Sequence, residues 1–289
     1  MSAITQRLPT HPHDIGFTVR RALPAATRRS IGPFVFLDHM GPAHFPVGTT
    51  EGDVRPHPHI GLATVTYLFS GAMMHRDSLG SVQLIEPGAV NWMTAGAGIV
   101  HSERMPAEVR DHNRAVEGIQ MWVALPREQE EGAAGFWHYP AEVLPLVRGP
   151  GAQVRVLCGE FGGARSPVAT TSPTLYLAVE LRAQGSITLP ADYTERGLYI
   201  VCGDVLIAGE PVDEYELVVL AEGATVTISA LDESRIMILG GDALDGPRQM
   251  WWNFVVSDRE RIEAAKARWR DGAFGSVPGE TEFIPLPDR

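Results

Sequence analysis

Between His57 and Glu103 the chain reads as short extended segments broken by turns, and this pattern constrains the fold more than any other feature. Ala63 to Phe69 is rich in β-branched and aromatic residues, and Ser70-Gly71 ends the run. Ser81 to Ile85 is a short apolar strand, Pro87-Gly88 turns, and Val90 to Thr94 extends again. The layout predicts a small antiparallel barrel. The stretch opens on His57-Pro58-His59 and closes on His101-Ser102-Glu103. Side chains two apart on an extended chain share a face, so two donor pairs can converge. Three imidazoles and one carboxylate form an N3O set suited to a single divalent ion such as Fe, Mn, Ni, Cu or Zn. On an octahedral ion such a set leaves one or two positions open for substrate or dioxygen. His11-Pro12-His13 has the same spacing but lies among polar residues with no second pair to join, and is expected to be exposed.

Four segments carry a resemblance: His57-Pro-His-Ile-Gly61, Tyr67-Leu-Phe-Ser-Gly71, Pro87-Gly-Ala-Val-Asn-Trp-Met-Thr-Ala-Gly96 and Gly98-Ile-Val-His-Ser-Glu-Arg-Met-Pro106. Together with Gly118-Ile-Gln-Met-Trp-Val123 and Trp251 to Arg261, they resemble the pirin family of the cupin superfamily over nearly the whole chain. The resemblance implies an all-β fold of two tandem jelly-roll-type cupin barrels. It also implies a metal held by His57, His59, His101 and Glu103, with iron the expected ion. Some pirins are quercetin 2,3-dioxygenases, which open a flavonol ring with dioxygen and release carbon monoxide, so the expected partners are a phenolic substrate and O2. Glu103 is then both ligand and candidate base for the flavonol 3-hydroxyl proton. A second expectation is a metal-dependent regulatory protein that binds a protein partner without turnover. A third is a non-redox zinc or nickel isomerase or hydrolase. Two positions depart from the family pattern: Ala63 stands where a glutamate is common, and Ile60 replaces a common arginine near the expected pocket mouth.

The rest of the chain fills in the frame. Its 289 residues allow one large or two ordinary domains. The formal charge of -11 argues against a nucleic-acid surface, which carries a basic footprint. No apolar run reaches membrane-span length and no secretion signal is visible, so the expected compartment is the cytoplasm and the expected state a monomer. Cys158 and Cys202 stand apart without a CxxC partner, which excludes a thiolate zinc site. Ala95-Gly-Ala-Gly98 is followed by Ile99-Val-His101 rather than a helix, which excludes a dinucleotide loop.

Phe34 to Leu37 is a predicted strand broken by Asp38 to Pro42. His39, Phe45, Met73, Met74, Trp92, Met93 and Gln120 are candidate pocket residues, whereas His75, His112 and His138 show no partner and are expected to be solvated. A boundary falls near 130 to 145, giving a metal-binding domain over 1–135 and a second cupin over 136–289. The second half is a domain-scale repeat of the first. Matching Gly71 with Gly203 and Gly88 with Gly223 puts the four ligand positions on Leu189, Ala191, Ile236 and Ile238, none of which binds metal. One helix is predicted, over 258–270, with Ser257 as N-cap, Glu260 three residues on, Gly272 as the stop, and Ile262, Ala265 and Trp269 on its packing face.

Overall fold

A computed structural model describes residues 2–287. The chain forms two compact units, each built of a larger and a smaller antiparallel sheet around an apolar interior. One unit comprises Pro12–Val19, Leu37–Ala141 and Leu244–Arg289; the other comprises Met1–His11, Arg20–Phe36 and Glu142–Ala243. The changeover at 141–142 lies beside the expected boundary, but neither unit is continuous in sequence. Burial pattern explains this. Ile4–Pro9 buries Ile4 and Leu8 in alternation and pairs with Glu216–Leu220, so the first strand completes the C-terminal unit.

In the unit that holds the histidines, the smaller sheet runs Val54–His59, Ile99–Arg104, Met73–Asp77, Val82–Ile85. The larger sheet contains Gly135–Tyr139, Val90–Thr94, Leu62–Ser70, Val116–Ala124 and Phe34–Ala43 as successive neighbours. That last strand continues through Asp38 to Ala43, where a break was expected: its residues from Phe34 to Met40 are all buried, and strand pairing overrides the local Gly-Pro signal. Within Leu62–Ser70, Thr64, Thr66 and Leu68 share the inward face, while Val65, Tyr67 and Phe69 share the other. Val116–Ala124 pairs with this strand over eight positions, which brings Gln120 opposite Thr66 and Trp122 opposite Thr64.

The other unit repeats the plan. Its smaller sheet is Ser186–Leu189, Val226–Ala230, Val205–Ile207, Glu210–Val212. Glu195–Cys202 and Val205–Ile207 are separate strands, because Gly203 turns the chain at φ +92°. An apolar cluster that includes Val154, Leu177, Leu198, Ile228 and Ile238 fills the interior.

The C-terminal helix is Arg259–Arg270, and its N-cap is Asp258, whose carboxylate accepts from Glu260 N; the expected cap was one residue earlier. Ser257 instead bonds Glu130, donating through its backbone N and its Oγ to the same carboxylate oxygen. Ile262 and Ala265 are buried and Trp269 packs with them, as the 3.6-residue spacing requires. A one-turn helix, Ala107–Asp111, has no counterpart in the sequence reading. No helix among the described residues is long and apolar enough to cross a membrane.

Candidate metal centre

Strand register assembles the site. His101 lies opposite His57, and Ile99 opposite His59, so alternation aims both histidine pairs into the barrel. The ligand-type atoms of His57, His59 and His101 all lie within 4.8 Å of one another, and all three residues are buried. Ser102 and Arg104 alternate onto the opposite face of the same strand. There Ser102 Oγ donates to Glu280 at 2.9 Å and Arg104 Nε at 3.1 Å, which ties the strand's back to the C-terminal tail.

Hydrogen bonding settles which nitrogen each imidazole presents. His57 Nδ1 lies 2.9 Å from the Arg55 carbonyl and His59 Nδ1 lies 3.2 Å from the Asn253 carbonyl. A carbonyl only accepts, so both Nδ1 atoms carry the proton and both Nε2 atoms keep a lone pair. His59 Nε2 and His101 Nε2 are 3.1 Å apart. Burial drives these rings toward the neutral form. It takes His57 down to about 4, with the Arg55 hydrogen bond opposing and the His75 charge adding to the effect. His59 and His101 are held well below the usual histidine range, first by burial and then by neighbouring imidazoles. Three neutral imidazoles this close form a donor set that fits a borderline divalent metal.

Glu103 shares the inward face with His101 but stands outside the 4.8 Å cluster. A β-bulge pairs it with Val54 rather than residue 55, which re-aims the side chain. Its carboxyl is hydrogen-bonded to Thr66, and burial pushes it up to about 7 against that bond. Thr66 Oγ1 lies 2.8 Å from Gln120 Oε1 as well, so Gln120 joins the site through Thr66.

The other candidates divide by strand face. Met73 alternates onto the inward face, and it and Phe45 belong to one buried apolar cluster. Met74, its neighbour, takes the other face and is half-buried. Trp92 lies on the face of its strand opposite Asn91 and Met93 and donates to Thr94 Oγ1, so it is no wall of the interior. His39 is buried on the outer face, where its Nε2 meets Glu117 at 3.3 Å and its ring meets Phe69 edge-on. Ile60 lies in an apolar cluster with Val100 and Phe254, away from the expected pocket mouth. The walls that do reach the centre are Trp122, edge-on to His59 at 5.2 Å, and Phe136, stacked on His75.

His75 corrects the expectation of a solvated side chain. It is 4% exposed, its Nδ1 lies 3.4 Å from His101 Nδ1, and its Nε2 lies 3.0 Å from Asp77 Oδ2. Asp77 is wholly buried; burial pushes its carboxyl up, but hydrogen bonds from His75 and Ser81 outweigh this and hold it below the usual carboxylate value. The sequence carried a signal: His75-Arg76-Asp77 is a third donor pair at the same i, i+2 spacing, in a stretch where no strand was predicted. His138 is half-buried with Nδ1 2.7 Å from Asn91 Oδ1, while His11, His13 and His112 are exposed.

Among the described residues the second unit brings no equivalent histidine cluster together. Sheet order matches its Ser186–Leu189 and Val226–Ala230 to the two ligand strands of the first unit. Ile187 faces Ile228 and Leu189 faces Val226, so the ligand positions correspond to Ile187, Leu189, Ile228 and Ala230. Matching by glycines placed two of them on Ile236 and Ile238, which lie on Ser234–Gly241, a strand of the larger sheet. The slip arose because Gly223 follows the strand equivalent to Val90–Thr94, whereas Gly88 precedes it. All four matched residues are apolar.

Two β-barrel units, one with an inward three-histidine cluster, define a two-barrel cupin with a single candidate metal centre. A family model described as pirin matches residues 16–123, and one described as the pirin C-terminal cupin domain matches residues 176–275. The chain belongs to the pirin family. A pirin-like protein of Caulobacter vibrioides is 49% identical over 95% of this chain and 96% of its own length. The crystal structure of quercetin 2,3-dioxygenase from Acinetobacter baumannii superposes with a TM-score of 0.88 at 35% identity, covering 98% of this chain and 96% of that one. The Escherichia coli pirin YhhW in complex with nickel(II) shares the fold, with a TM-score of 0.64 at 16% identity over 83% of this chain and 99% of that one.

Proposed function

We propose that His57, His59, His101 and Glu103 hold one divalent transition metal, iron first among the candidates, and that the protein is a flavonol dioxygenase of the quercetin 2,3-dioxygenase type. The observation that carries the reading is the 3.1 Å approach of His59 Nε2 to His101 Nε2 inside the three-histidine cluster. Two imidazole nitrogens at that separation suit lone pairs turned toward one shared cation. The similarity to an A. baumannii quercetin 2,3-dioxygenase supplies the reaction class.

When bound, the metal supplies Lewis acidity toward a phenol that is losing its proton, and a redox partner for dioxygen. The chain supplies the rest. Glu103, buried beside the histidine cluster and hydrogen-bonded to Thr66, is the side chain placed to accept the flavonol 3-hydroxyl proton. Thr66 and Gln120 hold the carboxyl in place and offer polar contacts beside it. Trp122 and Phe136 give flat apolar surfaces suited to an aromatic substrate. Both atoms of one dioxygen enter the opened ring and its products, and one ring carbon leaves as carbon monoxide.

The test is metal content of protein purified without chelator, followed by dioxygen uptake with quercetin. Near-stoichiometric metal with quercetin-dependent uptake, abolished in His101→Ala, is the expected result. Metal without uptake rejects the flavonol assignment, and failure to bind any divalent metal rejects the centre itself. Glu103→Gln distinguishes ligand from bystander: undiminished metal affinity in that variant removes Glu103 from the set.

A further inference from the structure

Two of the three clustered imidazoles are fixed by backbone carbonyls, which no substitution can alter. His101 differs, for its Nδ1 faces the Nδ1 of His75 at 3.4 Å. We propose that Asp77 and His75 form a buried relay of hydrogen-bond direction that sets the tautomer of His101 and so makes its Nε2 available to the metal. The proposal rests on the metal-centre reading above and adds two positioning residues to it.

The direction follows from donors and acceptors alone. Asp77 Oδ1 accepts from the backbone N–H groups of Leu79 at 2.9 Å and Ser81 at 3.0 Å, which fixes the carboxylate in place. Its Oδ2 is left to accept from His75 Nε2 at 3.0 Å. A carboxylate has no proton to give, so His75 carries its hydrogen on Nε2 and presents a lone pair at Nδ1. His101 must then donate from Nδ1, which leaves its Nε2 lone pair aimed at His59 and the cluster. Stacking on Phe136, with ring centroids 4.2 Å apart and planes 12° from parallel, holds the His75 ring in the plane this needs. Register puts Asp77 opposite His101 and His75 opposite Glu103, so the relay is built into one sheet.

An isosteric change reverses the relay. In Asp77→Asn the amide oxygen stays with the two backbone donors, and the NH2 group meets His75 Nε2. His75 must then accept at Nε2 and donate at Nδ1, toward the Nδ1–H of a metal-bound His101. Two donors face each other, and the cost appears as lost metal affinity.

The experiment measures Co2+ and Zn2+ affinity by chelator competition, with the visible spectrum of the Co2+ form, on folded full-length variants. Apo-protein thermal midpoints run alongside. Asp77→Asn and His75→Phe are expected to weaken both metals about 10–100-fold and to shift the Co2+ bands. His75→Asn places an amide oxygen where Nδ1 stood and is expected to keep affinity within about threefold of the wild type, since it restores the acceptor. Equal losses in His75→Phe and His75→Asn would mean packing alone and overturn the relay. So would wild-type affinity and spectrum in Asp77→Asn. Wild-type protein that binds neither ion would instead overturn the metal centre itself, a separable outcome.

Discussion

The two barrels share one strand plan and differ in what fills them. The C-terminal barrel places Ile187, Leu189, Ile228 and Ala230 where the other places His57, His59, His101 and Glu103, around an apolar cluster, and the one arginine it buries, Arg196, donates to the carbonyls of Pro190, Ala221 and Ala224. The histidine barrel buries imidazoles, carboxyls and amides in equivalent positions. It tolerates them because each is partnered: Asp77 with His75, Thr66 with Gln120, Asn91 with His138. Its backs are also tied down, by the tail at Glu280 and by a hairpin whose Asn253 carbonyl holds His59. The fold therefore does not need the site, whereas the site needs a partner for every polar group it buries.

Acid should separate the barrels most. All ten histidines precede residue 139, so 142–243 has none. A histidine whose folded value is depressed contributes stability that is present above its unfolded value near 6.5 and lost as pH falls toward the folded one. For His57, depressed to about 4, the loss is roughly 3 kcal/mol at the lower end, and His59 and His101 add losses of the same sign. Glu103 acts oppositely: raised to about 7, it gains stability as pH falls from 7 toward 4.5, by a similar amount. One gain against three losses leaves a net loss in the metal-free protein. Hydrogen exchange between pH 7 and 4.5 is expected to show 37–141 opening while 142–243 keeps its protection; parallel loss in both would reject the contrast.

Next in size is the clamp on the C-terminal segment. Glu130 is wholly buried and ion-paired with Arg248 at 2.9 Å and with Arg261. Removing one partner of a buried network leaves charge uncompensated, so Glu130→Ala should destabilise the protein by about 3–5 kcal/mol. It should also weaken metal binding, because the clamped segment carries Asn253. Urea unfolding and metal titration of the variant measure both, and a change below 1 kcal/mol would show the clamp to be dispensable.

The legible and illegible parts of this chain have physical causes. The i, i+2 spacing keeps His57 with His59 and His101 with Glu103 on one face in any register that leaves the strands extended, so two same-face donor pairs could be read without coordinates. Face could not be read for His39 and Trp92, because a one-residue offset reverses it. His75 was missed because a histidine reads as polar surface until its Asp77 partner is seen opposite a ligand. Glu130 lies in the charged run from Arg127 to Glu131, and only the distant Arg248 and Arg261 reveal it as buried. The repeat was legible, whereas its residue correspondence needed strand order.

Exchanging residues between the barrels tests the contrast directly. Ile228→His would place a ring in an apolar interior with no carbonyl or carboxylate arranged for it. A loss of about 2–4 kcal/mol is expected from the missing packing and the unpartnered polar group, read by urea unfolding, and no metal affinity should be gained. The reverse exchange should cost far less. His57→Leu keeps comparable volume, and the Arg55 carbonyl it abandons belongs to an exposed residue where water can replace the bond. Metal-free stability at pH 7 should therefore change by less than about 1 kcal/mol, while the metal site is lost. At pH 5 the same variant should exceed wild type, because one imidazole that resists charging has been removed. If His57→Leu instead unfolds the metal-free protein at neutral pH, His57 supports the barrel itself, and the view of a site added to a self-sufficient fold fails at its first ligand.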